Sequence, residues 1–167
     1  HGEMQKHGLD GYLVPRADEF QGEFVAPYAE RLKWLTGFTG SGGCAVVLKD
    51  KAFMLTDGRY TLQAARQVEK ALFETGDYIK KRVSEWLLEY ASEGAVIGFD
   101  PWLFTPSQIE RIEKSAAKKS IVLKAVDENL IDAIWGDQPA KPSAPVVVFE
   151  AEIAGMRAAD KCAQIGK

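Results

Sequence analysis

The stretch "LTDGRY" (55–60) sets Asp57, Gly58 and Arg59 where an apolar run ends and a helix-like segment begins. In an open α/β sheet, ligands are met at strand ends. A guanidinium there offers a planar fork to a carboxylate or a carbonyl oxygen. A second reading is an internal salt bridge, with Asp57 capping the turn that follows. On pattern alone both readings stay open. Upstream, "TGFTGSGG" (36–43) places Gly40, Gly42 and Ala45 at G-x-G-x-x-A spacing. A dinucleotide loop needs a strand before its glycines and a helix after them, so that helix N–H groups meet the pyrophosphate. Here the order is reversed, and no Lys-Ser/Thr pair follows to make a P-loop. The glycines are therefore expected to serve the backbone, letting the chain drop from a helix directly into a strand.

The other reactive residue types are less promising. His1 and His7 both lie at the start of the chain, without a partner at ligand spacing. Ser41 has no histidine and downstream acid with which to form a triad. Cys44 opens an apolar run and reads as a core thiol. Asp18, Glu19 and Glu23 cluster in an irregular segment, expected to be a solvated loop.

The elements that must position these residues follow from hydrophobic spacing. "GYLVP" (11–15) reads as a buried strand, "AERLKWL" (29–35) as a short helix ended by Gly37, and "CAVVL" (44–48) with "AFMLT" (52–56) as an antiparallel hairpin. A helix is expected over 57–72, capped by Asp57 and turning Tyr60, Ala64, Val68 and Ala71 inward. In "KRVSEWLLEYA" (81–91), Val83, Trp86, Leu87 and Tyr90 share one helical face. "AVIGFD" (95–100) and "IVLKAV" (121–126) are further strands. "TPSQ" (105–108) is a capping box with Pro106 at the first helical position, opening a helix that turns Ile109, Ile112 and Ala116 inward. "NLIDAIW" (129–135) reads as a short helix stopped by Gly136. Strands that are nearly continuous apolar runs belong to a sheet covered on both faces. The expected fold is an α/β three-layer sandwich on a mixed sheet.

The sequence of 167 residues, 46% apolar, suits one domain or one domain with a piece of a second. "DQPAKPSAPV" (137–146) reads as an extended linker, after which "VVVF" and "EIAGMRAADKCAQIGK" open something left unfinished. "HGEMQKHGLDG" reads as the end of a helix whose beginning is missing. With a net charge of -3, neither a nucleic acid nor an anionic membrane is an expected partner. No run reaches the roughly 20 apolar residues of a membrane span, and no signal peptide is visible. Cys44 and Cys162 make no metal spacing, which suits free thiols in a reducing, cytoplasmic setting.

Taken together and in order, "GYLVPRADEF", "ERLKWLTGFTGSGG", "AFMLTDGRYTLQAARQ", "GFDPWLFTPSQ" and "ENLIDAIWGDQP" resemble the N-terminal domain of cytosolic three-domain Xaa-Pro aminopeptidases, within the creatinase/prolidase superfamily. The resemblance implies a first domain over 1–146, with a mixed sheet of about six strands, and the start of a second over 147–167. It implies a metallopeptidase that releases an N-terminal residue preceding proline. Two divalent metals, usually manganese, would lie in a catalytic domain absent from this chain, since no histidine follows His7. The implied role of this part is non-catalytic: it shields the active site and helps select a short peptide with proline second. Implied partners are the catalytic domain of the same or a neighbouring chain and further copies in a homo-oligomer. Within that family the arginine of TDGRY contacts substrate, which carries over to Arg59, with Asp57 and Tyr60 positioning the turn. Two departures stand out: "ADEFQGEF" has Phe20 where the family has a histidine, and "GSGG" replaces the commoner "GSAG". A free-standing binding module of the same fold is the alternative reading.

Overall fold

The computed structural model describes residues 1–166. After helix α1 (Gly2–Lys6), strand β1 (Gly11–Pro15) enters the centre of the molecule, followed by α2 (Arg31–Thr36). The hairpin β2 (Cys44–Leu48) and β3 (Ala52–Thr56) leads to α3 (Thr61–Gln67) and β4 (Glu74–Asp77). Helix α4 (Val83–Tyr90), β5 (Val96–Phe99), α5 (Pro106–Ala116) and β6 (Val122–Ala125) complete the sheet region. The six strands lie in the order β4-β3-β2-β1-β5-β6. β2 is antiparallel to β1 and β3, whereas β3–β4, β1–β5 and β5–β6 are parallel pairs. Five strands thus run the same way, and their carboxyl ends share one edge of the sheet with the amino end of β2.

The two-residue period of a strand sorts the core into two layers. Tyr12, Val14, Ala45 and Met54 face a cluster with Leu32, Phe38, Ala64 and Val68. Leu13, Val46, Phe53 and Leu55 face the opposite cluster with Leu87, Ile97 and Ala116. Burying each large aliphatic side chain contributes about 1.5–3 kcal/mol. Helices α1 to α3 cover one face and α4 with α5 the other, which is the three-layer mixed sheet expected. The capping box of α5 is also as expected: Thr105 Oγ1 accepts from Gln108 N, and Gln108 Oε1 accepts from Thr105 N.

Two expectations are corrected, and one strand was not foreseen. The helix over 57–72 is confined to Thr61–Gln67, with Tyr60 rather than Asp57 at its N-cap, and Ala71 is exposed. It stops because Val68 turns extended (ψ 133°) to carry Val68 and Phe73 into the core. The polar "ETGD" is an edge strand that apolar periodicity could not reveal. It is held by its pairing with β3 and by Gly76 lying against the Trp86 ring. Finally, 129–135 makes turns rather than a helix. Asn129 Oδ1 accepts from Ile131 N at 2.9 Å, and that local bond competes with helical pairing. Beyond Gln138, 139–150 carries neither helix nor strand; α6 (Ala151–Ala154) and α7 (Ala158–Ile165) follow and bury no residue. Lys167, the last residue of the segment read as a second domain, lies outside the described residues.

Candidate functional site

The carboxyl edge gathers the polar loops. Immediately after β3, the chain turns at Asp57, whose carboxylate is nearly buried beside an exposed Arg59. Asp57 Oδ1 accepts from Arg59 N and Nε, each at 2.9 Å, and Oδ2 accepts from Nη2 at 2.9 Å. The bidentate pair holds the Asp57 carboxyl below the usual carboxylate range and raises Arg59 further above its already high value. One edge of the guanidinium is therefore spoken for. Its remaining protons have no partner among the described residues, and the side chain is 70% exposed. The guanidinium also sits 5.1 Å from the centroid of the Tyr60 ring. The internal bridge and the outward-facing fork coexist, because a guanidinium has donors on two edges.

The glycine loop packs beneath this turn. Thr56 Oγ1 donates to Gly42 O at 2.6 Å, and the Ser41 and Tyr60 hydroxyls lie 2.6 Å apart. Hydrogen bonding with Ser41 lowers Tyr60 from its ordinary value. A Cβ on Gly40 would lie 2.2 Å from the buried Phe38 ring, and one on Gly43 2.6 Å from Met54. Gly37 caps α2 at φ 75°. The glycines thus answer demands of the backbone, as their order relative to helix and strand implied.

A second polar cluster lies at the same edge, after β1 and β5. Arg31, almost fully buried, forks to Asp132 at 2.7 Å through both Nε and Nη2. Asp100 Oδ1 accepts from Trp102 N, and Oδ2 from Asn129 Nδ2. Glu19 Oε1 accepts from Lys141 Nζ at 2.9 Å, a contact that pulls Glu19 down to about 2. Glu19, Arg31, Asp100 and Lys141, with Trp102 and Leu103, line a cleft of about 310 Å³. Sequence reasoning missed Arg31, Asp100 and Lys141; Asp100 before Pro101 as a cap was the one local signal.

The remaining candidates separate. His1 lies against Leu48 O and His7 against Glu3 O. Cys44 is buried, and desolvation pushes its thiol up to about 12. Asp18 corrects the expectation of a solvated acidic loop. It is 5% exposed, and its Oδ1 accepts from Phe20 N and Gly22 N, folding the loop back on itself. Phe20 is exposed. Among the described residues no group of three metal-ligating side chains could hold an ion. Among the same residues no helix is long and apolar enough to cross a membrane.

A three-layer α/β domain with its polar loops gathered at one sheet edge is the class that this geometry defines. A family model, the creatinase/prolidase N-terminal domain, matches residues 1–133, and the chain belongs to that family. Among its relatives is the Ajellomyces dermatitidis protein named "Probable Xaa-Pro aminopeptidase P", 40% identical over 98% of this chain and 27% of the relative. Among solved structures, the X-prolyl aminopeptidase of Caenorhabditis elegans, a cytosolic enzyme with a di-nuclear active site, superposes with a TM-score of 0.84 at 32% identity. That match covers 94% of this chain and 26% of the nematode chain. The N-terminal domain of a cytoplasmic peptidase from Mycobacterium tuberculosis matches at 26% identity and a TM-score of 0.57, over 75% of this chain and 87% of that one. The chain spans about a quarter of the length of the Xaa-Pro aminopeptidases that it matches.

Proposed function

We propose that this chain is the non-catalytic N-terminal domain of a Xaa-Pro aminopeptidase, which releases the residue preceding a proline at the second position of a peptide. The observation that carries the reading is similarity to Xaa-Pro aminopeptidase P along 98% of this chain, confined to 27% of the relative's length. In this reading the remaining length holds the di-nuclear metal site, with manganese as the metal, and the protein works in the cytoplasm as a homo-oligomer. The domain closes over that site, narrows access and excludes bulk water, which strengthens polar contacts to a short peptide. Arg59 presents its free edge to a carbonyl or carboxylate oxygen of the peptide, while Asp57 fixes the direction in which it points. A guanidinium held on one edge loses less side-chain entropy on binding than a free one.

The reading is tested with the full-length protein reconstituted with manganese. It should release the first residue from Xaa-Pro-Pro peptides, lose that activity on chelation, and leave peptides without proline second uncut. The present chain alone should give no turnover. Absence of metal-dependent cleavage in the full-length protein, or cleavage indifferent to proline, would overturn it.

A further inference from the structure

Arg31, which lines the cleft after β1 and β5, carries an unanswered donor beneath the cleft surface. Arg31 is nearly fully buried with its Nε and Nη2 committed to Asp132. Its Nη1 is the buried side-chain polar atom left without a partner among the described residues. A buried donor that carries charge is costly to leave unpaired. Beside it, Asp100 is 8% exposed, accepts only from neutral N–H groups and has no cationic partner in an ion pair among the described residues. Asp100 and Glu19, two carboxylates, thus line the same cleft as Arg31, along with the exposed Trp102.

The mouth of the cleft already holds a primary ammonium. Lys141, on the linker, brings its Nζ to 2.9 Å from Glu19 Oε1 and 5.2 Å from the Tyr28 ring centroid. Its side chain is 70% exposed, so a ligand cation can compete with it for Glu19 from solvent.

We infer that the cleft among Glu19, Arg31, Asp100 and Trp102 binds an α-ammonium group together with the carbonyl oxygen beside it, as carried by a peptide amino terminus or a free amino acid. The ligand ammonium displaces Lys141 and is shared by Glu19 and Asp100. Its carbonyl oxygen accepts from Arg31 Nη1, which the ligand must uncover because that atom is closed to solvent in the free chain, and its side chain lies on Trp102. A simple carboxylate is repelled by the two acids, and an N-acylated peptide lacks the cation they select. The ligand class rests on the aminopeptidase reading for its relevance, whereas the binding test needs no catalytic half, so the two can fail separately.

The experiment is an NMR titration of this chain with alanyl-alanine amide, following the Trp102 indole and Arg31 guanidinium signals. The expected result is saturable shifts at both. N-acetyl-alanyl-alanine amide should bind at least about tenfold more weakly, the loss of one charge-assisted contact. Glu19→Gln should weaken binding, and Lys141→Ala, on an exposed linker, should tighten it by removing the internal competitor. Free alanine binding as well as the dipeptide amide assigns the cleft to amino acids; weaker binding assigns it to peptide amino termini. No saturable shift at millimolar dipeptide, equal binding of the acetylated compound, or unchanged affinity in Lys141→Ala would overturn the inference.

Discussion

Arg59 can offer a directed fork because Asp57 holds its other edge. The two residues should respond differently to mutation. Removing the exposed Arg59 side chain is expected to leave stability little changed. Asp57→Ala loses a nearly buried acceptor of three hydrogen bonds and is expected to cost about 1–3 kcal/mol. Urea denaturation of the two variants measures the difference. Thiol chemistry gives an independent check at this scale. Cys44 is buried with its thiol raised to about 12, whereas Cys162 is exposed. At mildly alkaline pH a disulfide reagent should therefore modify Cys162 alone in the folded chain and both thiols in denaturant. Modification of Cys44 without unfolding would contradict its place in the core. Legibility also divides at this scale. Arg59 was visible because strand end, turn and guanidinium fall within six consecutive residues. The Arg31 cluster was not, because its partners are brought together from 101 and 122 positions apart.

Among the elements, strands buried on both faces announced themselves as apolar runs, and "TPSQ" announced α5 by its cap chemistry. Thr105→Ala should cost about 1 kcal/mol, read as a shift in the urea midpoint without a change in slope. Edge strand β4 left no comparable trace, since "ETGD" is polar and is fixed by its neighbour instead. Gly76 is the residue on which that docking turns. A Cβ there would lie 2.4 Å from Trp86 Cζ2, so Gly76→Ala must displace the Trp86 ring from its place against the sheet. A loss of about 1–3 kcal/mol is expected, with altered Trp86 fluorescence. An unperturbed variant would mean that β4 and α4 are less tightly joined than the packing indicates. The short α3 carries the same lesson: periodicity predicted sixteen helical residues, and burial of Val68 and Phe73 outweighed the last turns.

At the scale of the molecule, five parallel strands and one reversed strand put every polar loop of interest on one edge. The linker is strapped to that edge by Gln138, which donates to Tyr28 O and Asp132, and by Lys141 on Glu19. Glu19 is held down to about 2 by that contact. A depressed carboxylate stabilises the docked linker above its ordinary pKa, and the contribution fades as pH falls toward the folded value. Linker docking should accordingly loosen between about pH 4.5 and 2, seen as rising hydrogen exchange or dynamics over 139–146. Unchanged linker dynamics across that window would remove the strap. The most direct test of the whole account is kcat/KM of the full-length protein on an Xaa-Pro-Pro peptide, compared for wild type, Arg59→Ala and Arg59→Lys. A substrate-facing Arg59 predicts at least about a tenfold loss in Arg59→Ala, partly restored in Arg59→Lys, with metal content and Tm unchanged. Wild-type kcat/KM in Arg59→Ala would contradict it and leave Arg59 as the partner of Asp57 alone.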